Sequence, residues 1–192
     1  MNGLIKYLSN KIDVSFAVKE YILSISLQKK TQKGDILISQ GNKIKFIYFV
    51  EDGCLRSYSL DKDGKEHTLQ FAIKNWWISD FTAINNNILS ELSVECVQEA
   101  NIIQISLDDF YQALKRFPEL DKIHKKNLEN RISSLERRIL DQLMLTALQR
   151  YEEFKKKYSD IEPLIPNYCI ASYLGMAKES LSRIRIKNSE LT

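Results

Sequence analysis

IPNYCIASYLGMAKESLSRIRIK, residues Ile165 to Lys187, carries the spacing that decides the fold. Ala171 is small where two short helices would cross. Gly175, four residues later, stands where the chain leaves the first helix with positive φ, a conformation that costs glycine least. Leu181 and Ile184, six and nine residues beyond that glycine, share one face of a second helix, and Ile170, Leu174 and Met176 complete a small core. This pattern predicts a helix-turn-helix, whose second helix is the kind that enters a DNA major groove. Its remaining face carries Lys178, Glu179, Ser180, Ser182, Arg183 and, further round, Arg185. These side chains suit base and phosphate contact: Arg forks onto guanine, Glu accepts from a cytosine amino group, and Ser and Lys reach phosphates or base edges. A solvated helix face has a similar composition, and it is the complete spacing that favours DNA.

Upstream, residues 119–157 contain no Gly or Pro and read as one long helix. Leu128, Ile132, Leu135, Ile139, Leu143 and Thr146 approximate the 4-3-4 repeat of a two-stranded coiled coil. Such a helix spans roughly 55 Å at 1.5 Å per residue, too long to be buried in one small domain. A homodimer is therefore expected, with an amphipathic helix lying on its own β-domain as the alternative. YSDIEPLI then reads as a linker.

From about Thr31 to Ile105 the chain reads as short strands between turns: DILISQG, KFIYFVEDG, CLRSYSLDKDG, KEHTLQFAI and SVECVQEANIIQI. Gly34, Gly41, Gly53 and Gly64 each fall at an expected strand boundary. Before them, IKYLSNKIDVSFAVKEYILSIS has helical spacing. After them, Ser106 suits the N-cap of a short helix with Asp108 and Asp109 in its first turn, and Pro118 marks a break or the next helix start.

Of the 192 residues, 44% are hydrophobic and 28% charged, as in a soluble globular protein. No apolar run is long enough to cross a bilayer, and MNGLIKYLSNK lacks the apolar core of a signal peptide, so a cytoplasmic protein with no membrane partner is expected. The net charge of +3 comes from residues 121–192, which hold 14 Lys and Arg against 10 Asp and Glu. A weakly basic end fits a polyanion. Cys54, Cys96 and Cys169 are odd in number and far apart, which points to buried thiols and to neither a disulfide framework nor a metal site. With no Walker loop, no G-x-S-x-G and two isolated histidines, neither an enzyme nor a cofactor is expected.

A β-roll, a long helix and a C-terminal helix-turn-helix, in that order, resemble the Crp/Fnr transcription regulators. IPNYCIASYLGMAKESLSRIR and QRYEEF look like the form common in Bacteroidetes members. The resemblance implies an α+β chain. Its parts would be a jelly-roll-like sensor of the cyclic-nucleotide-binding type over 1–117, a dimerisation helix over 118–157, and a DNA-binding unit over 158–192. It implies a homodimer on a palindromic operator, and RNA polymerase as a partner if the protein activates. The family's Arg-Glu-x-x-x-Arg motif is represented by Lys178, Glu179 and Arg183, so Glu179 and Arg183 would read bases. Ala177 stands where the family has a capping Ser or Thr, and the chain stops at Thr192, so the β-wing is expected to be short or absent.

Members that bind cyclic AMP use Gly-Glu for the ribose and Arg-Ser/Thr for the phosphate. Here Ser79 and Asp80 take the first place and Glu91 and Leu92 the second, with no Arg between Arg56 and Arg116. A carboxylate replaces the cation that would hold the phosphate. Together with Trp76 and Trp77, these residues outline a vestigial pocket or one for an unknown small-molecule effector. The expected function is a homodimeric, sequence-specific regulator indifferent to cyclic AMP. The alternative is a β-roll that binds a small molecule or protein, with a helix-turn-helix kept only for packing. Calorimetry with millimolar cyclic AMP is expected to give no saturable heat; micromolar affinity would contradict the reading of the cassette.

Overall fold

The computed structural model describes the backbone of residues 2–189 and the side chains of residues 2–186. Two short helices, α1 (Gly3–Ser9) and α2 (Phe16–Ile25), open the chain. Each starts on a side-chain cap, Asn2 accepting from the Leu4 amide and Ser15 from the Val18 amide. The strands are β1 (Leu27–Thr31), β2 (Ile36–Ile38), β3 (Phe46–Leu60), β4 (Glu66–Ala72), β5 (Trp77–Ile78) and, after α3 (Phe81–Asn86), β6 (Ser93–Ser106). They join in the order β1-β6-β3-β4, with β2 also on β6 and β5 on β3, and every pair is antiparallel. β4 closes the row and pairs with β3 alone.

Gly53 is not the strand boundary expected from the sequence. β3 runs through it as one strand from Phe46 to Leu60, paired with β6 from Phe46↔Ser106 to Tyr58↔Ser93, with register shifts around residues 50–55. At φ +84°, Gly53 lets β3 bulge without ending. A Cβ there would lie 2.2 Å from the Glu99 carbonyl oxygen on β6. Gly34, Gly41 and Gly64 also have positive φ and do lie in turns.

α4 (Leu107–Arg116) begins on Ser106, whose hydroxyl accepts from the Asp109 amide, and α5 (Pro118–Met144) begins at Pro118, as expected. The single helix over 119–157 is not found. α5 stops at Met144, and α6 (Ala147–Lys157) restarts on a capping box. The Gln149 amide donates to the Thr146 hydroxyl at 3.3 Å, and the Thr146 amide donates to Gln149 Oε1 at 3.0 Å. Thr-x-x-Gln offers the backbone a new start that competes with continuation. The turn carries Tyr151, Phe154 and Tyr158 onto the roll, where all three are buried. A 3-10 turn (Glu162–Leu164), α7 (Asn167–Leu174) and α8 (Lys178–Ser189) follow.

Three apolar clusters hold these layers. One lies inside the roll, around Tyr48, Leu55, Ile78 and Ile102. A second joins α1, α2, α4 and the start of α5 to Phe49 and Ile103. The third joins Cys54, Phe71 and Val97 of the roll to α6, α7 and Leu181 of α8. The C-terminal helices therefore share a core with the roll, and α6 belongs to that core. Denaturant unfolding is expected to show Gly53→Ala losing about 3 kcal/mol or more, from strain plus the backbone clash. Gly64→Ala, with open space around it, should lose only about 1 kcal/mol.

Candidate nucleic-acid interface and the neighbouring cavity

α7 and α8 form the helix-turn-helix read from the sequence. Gly175 ends α7 in the left-handed region at φ 63°, its amide donating to the Ala171 and Ser172 carbonyls, and the Met176 amide also returns to Ala171. Satisfying these carbonyls fixes the angle at which α8 leaves. Leu181 is fully buried, with Met176 and Ile184 packed beside it. Ala177 offers only its backbone: its carbonyl accepts from Ser180 and Leu181.

Lys178, Glu179 and Arg183 are exposed together on the outer face of α8, with Ser180 half-buried at its edge. The Ser182 hydroxyl donates to the Lys178 carbonyl at 3.1 Å, so it serves the helix itself. Arg183 Nε sits 3.4 Å from the Glu179 carbonyl, a weak contact that leaves its fork facing solvent.

Arg185 does not join this face. Its guanidinium forms an ion pair with Glu162, also donates to the Glu162 carbonyl at 3.2 Å and the Tyr151 hydroxyl at 3.2 Å, and meets Asn167 Oδ1. Glu162 is buried and accepts from the Tyr151 hydroxyl at 2.8 Å. Arg185 thus clamps α8 to α6 and to the turn before α7. Lys187 has its side chain outside the described residues, as have residues 190–192, where the wing was expected to be short or absent.

The α5 row divides. Ile132, Ile139 and Leu143 are exposed, and Leu140 and Met144 join them, Leu143 and Met144 at 76% each. Leu128 and Leu135 instead face inward onto a cavity, and Thr146 is the cap of α6. The heptad count missed Leu140 and Met144 because the helix ends beside them.

The cassette closes on itself. Ser79 is fully buried, its hydroxyl 3.5 Å from the Phe46 carbonyl. Asp80, also buried, caps α3 through the Ala83 amide at 3.0 Å and accepts from the Ser90 hydroxyl at 3.1 Å and the Glu91 amide at 2.9 Å. The structure thus brings the two halves together around a carboxylate spent on backbone and hydroxyl donors. Glu91 is exposed, and the Leu92 amide returns to Ser90. Ser79, Asp80, Glu91 and Leu92 line no described cavity; Trp76 and Trp77 do.

That cavity, of about 500 Å³, lies between the roll, α5 and the C-terminal helices. Trp76, Trp77 and Gln70 face Leu128, Arg131, Leu135 and Arg138 across it, and Lys157, Tyr158 and Tyr173 close one end. Burial lowers the pKa of Arg131, Arg138 and Lys157. Arg138 gives its N–H groups to three carbonyls: Leu69 at 2.7 Å, Thr68 at 3.2 Å and Tyr173 at 2.6 Å. Reading α5 as a coiled-coil surface missed both arginines; their only sequence signal is the seven-residue spacing that puts them on one helix face.

Cys54, Cys96 and Cys169 are buried free thiols, their pKa values raised above all by burial. Among the described residues no group of His, Cys, Asp and Glu is placed to hold a metal, and no helix is long and apolar enough to cross a membrane.

Residues 28–117 match the cyclic nucleotide-binding domain family. The anaerobic regulatory protein of Bacillus subtilis is 22% identical over 182 residues, covering 89% of this chain and 76% of the relative. The chain thus carries a domain of the cyclic nucleotide-binding type and is similar to regulators of the Crp/Fnr type. Among solved structures of this group, FixK2 from Bradyrhizobium japonicum superposes with a TM-score of 0.75 at 15% identity, covering 87% of this chain and 86% of that one. A protein from Eubacterium rectale, described as a transcriptional regulator of the Crp/Fnr family, gives 0.75 at 22% identity, covering 96% and 88%. These likenesses agree with the α+β architecture of roll, long helix and further helices.

Removing Arg185 leaves the buried Glu162 carboxylate without its cation, with the Tyr151 hydroxyl still donating to it. Arg185→Ala is expected to cost about 3 kcal/mol in chemical denaturation, and Glu162→Gln in the same background should recover part of that loss.

Proposed function

We propose that the protein is a DNA-binding transcription regulator that acts as a homodimer and does not answer to cyclic AMP. The observation that carries this reading is the Gly175 turn, which presents Lys178, Glu179 and Arg183 together on an exposed face of α8. It is their combination with the turn geometry, rather than their polarity alone, that supports DNA contact over a merely solvated face. The relatives are regulatory proteins, which fits a binding function without catalysis.

The exposed row Ile132, Ile139, Leu140, Leu143 and Met144 supports pairing through α5. Two-fold pairing would set two copies of α8 on successive major grooves, about 34 Å apart. Leu145 and Thr146, where α5 gives way to α6, are the natural division between the dimerising and DNA-contacting parts. Glu91 stands where a cation would hold the phosphate, and Asp80 is held by a cap and two loop donors, so residues 79–92 offer no cation to a cyclic phosphate. Action on DNA implies a cytoplasmic site, with RNA polymerase as a further partner where the regulator activates.

The second reading, a roll whose helix-turn-helix only packs, is favoured by one observation: α7 shares its core with Phe71 and Val97 of the roll. DNA affinity separates the two. Selection from a random double-stranded pool is expected to enrich a palindrome with half-sites about one helical turn apart and an affinity that falls steeply with salt. Folded, dimeric protein that enriches nothing would sink the first reading. Arg183→Ala should relax base preference at one position per half-site, by about 1–3 kcal/mol of discrimination, while Lys178→Ala should weaken binding evenly across sequences.

A further inference from the structure

The path from the long helix to the helix-turn-helix contains a joint. Between α5 and α6 only Leu145 (φ −100°, ψ 146°) and Thr146 (φ −66°, ψ 163°) are extended, so a change in a few torsions there would swing everything that follows. Two side chains of α5 reach across that joint to the last turn of α7. Arg138 donates to the Tyr173 carbonyl at 2.6 Å, and Gln142, one turn further along, donates through Nε2 to the Leu174 carbonyl at 2.9 Å. Gly175 comes next, so close to Gln142 that a Cβ would lie 3.0 Å from its Oε1. Arg138 also holds the Leu69 and Thr68 carbonyls of β4, and the Ser172 hydroxyl of α7 accepts from the Thr68 amide at 2.8 Å. α5, β4 and α7 are thus joined in a closed triangle, with one corner at the turn that aims α8. The apolar cluster beneath α7 holds it without fixing a direction, because burial is non-directional. The hydrogen bonds supply the direction.

We propose that Arg138 and Gln142 are positioning residues that set the distance between the two DNA half-sites the protein accepts. The inference rests on the reading of the chain as a dimeric DNA-binding regulator. With its exposed apolar row, α5 would lie along the two-fold axis, and whatever fixes α7 against α5 fixes how far each α8 stands from that axis. Both residues belong to α5 and neither reads a base. One base pair inserted between half-sites moves them apart by about 3.4 Å and turns one against the other by about 35°. A braced pair of recognition helices cannot follow both changes. A pair free to swing about Leu145 and Thr146 can.

The test measures the affinity of the full chain for duplexes that carry the selected half-site twice, at spacers varied one base pair at a time. Wild-type protein is expected to prefer one spacer over its neighbours by at least about tenfold. Gln142→Leu and Arg138→Met should each reduce that preference to about threefold or less, with base preference inside a single half-site unchanged. Arg138→Lys should behave as Arg138→Met does, because an ammonium on a flexible stem cannot hold three carbonyls in one geometry. Ile170→Val thins the core beneath α7 and leaves the hydrogen bonds in place, so it should keep the full preference. That comparison separates positioning from a general loss of stability. Should Arg138→Met fail to fold, Gln142→Leu carries the test. Variants that keep the wild-type preference, or a wild-type protein with no spacer preference to lose, would overturn this inference alone. So would variants that bind the favoured spacer more tightly, since the contacts would then restrain binding. Wild-type protein that binds no half-site would overturn the DNA reading, and this inference with it.

Discussion

One guanidinium ties the three parts of this chain together. Arg138 extends from α5 to the carbonyls of Thr68 and Leu69 on β4 and of Tyr173 at the end of α7. Thr68 and Leu69 lie at the register shift of an edge strand and Tyr173 in the last turn of a helix, places where carbonyls lack their regular partners. A cation with a rigid fork of donors can serve several such acceptors, which a lysine could not do in one geometry. Its ring neighbour Tyr173, 4.0 Å away, completes the seat.

Around that point the aromatic side chains do the packing. Phe71 on β4 lies 5.3–5.9 Å from Tyr173, Phe154 and Tyr158, so one strand residue meets rings from both α6 and α7. Beneath them Arg56, almost wholly buried, pairs with Glu66 and Glu95 at 2.6 Å each and stacks on Tyr58 and Tyr168. A buried cation between two carboxylates adds little net stability but fixes which strands and helices may lie together. The helix-turn-helix therefore sits on the roll in one register, with its outward face left for a partner.

The parts that were legible in the sequence are those governed by neighbours along the chain. Ala171, Gly175 and Leu181 mark two helices and their turn within a few residues, and Ser106 and Pro118 mark helix starts by capping chemistry alone. What was missed depends on residues far away. Gly53 looks like a turn until the Glu99–Ala100 backbone is seen across from it, which makes it a bulge. Thr146 continued the 4-3-4 row of α5, and it is the burial of Tyr151 and Phe154 against the distant Phe71, together with the local bond to Gln149, that decides that the helix breaks. Arg185 counted onto the outer face because its partner, Glu162, lies in a linker with no pattern of its own. Trp76 and Trp77 line the cavity, whereas Asp80, grouped with them through the family resemblance, caps α3.

The seating of α7 has a consequence for the sheet itself. β4 is an edge, and several of its backbone groups are covered: the Ser172 hydroxyl accepts from the Thr68 amide and donates to the Glu66 carbonyl, both at 2.8 Å, while Arg138 takes the Thr68 and Leu69 carbonyls. The helix acts as a guard against edge-to-edge association of strands, a hazard that proteins ordinarily meet with charges, bulges or prolines. Any rearrangement that lifted α7 away would uncover a strand ready to pair. Freedom of the C-terminal helices and colloidal stability of the chain are thus set against each other by two side chains.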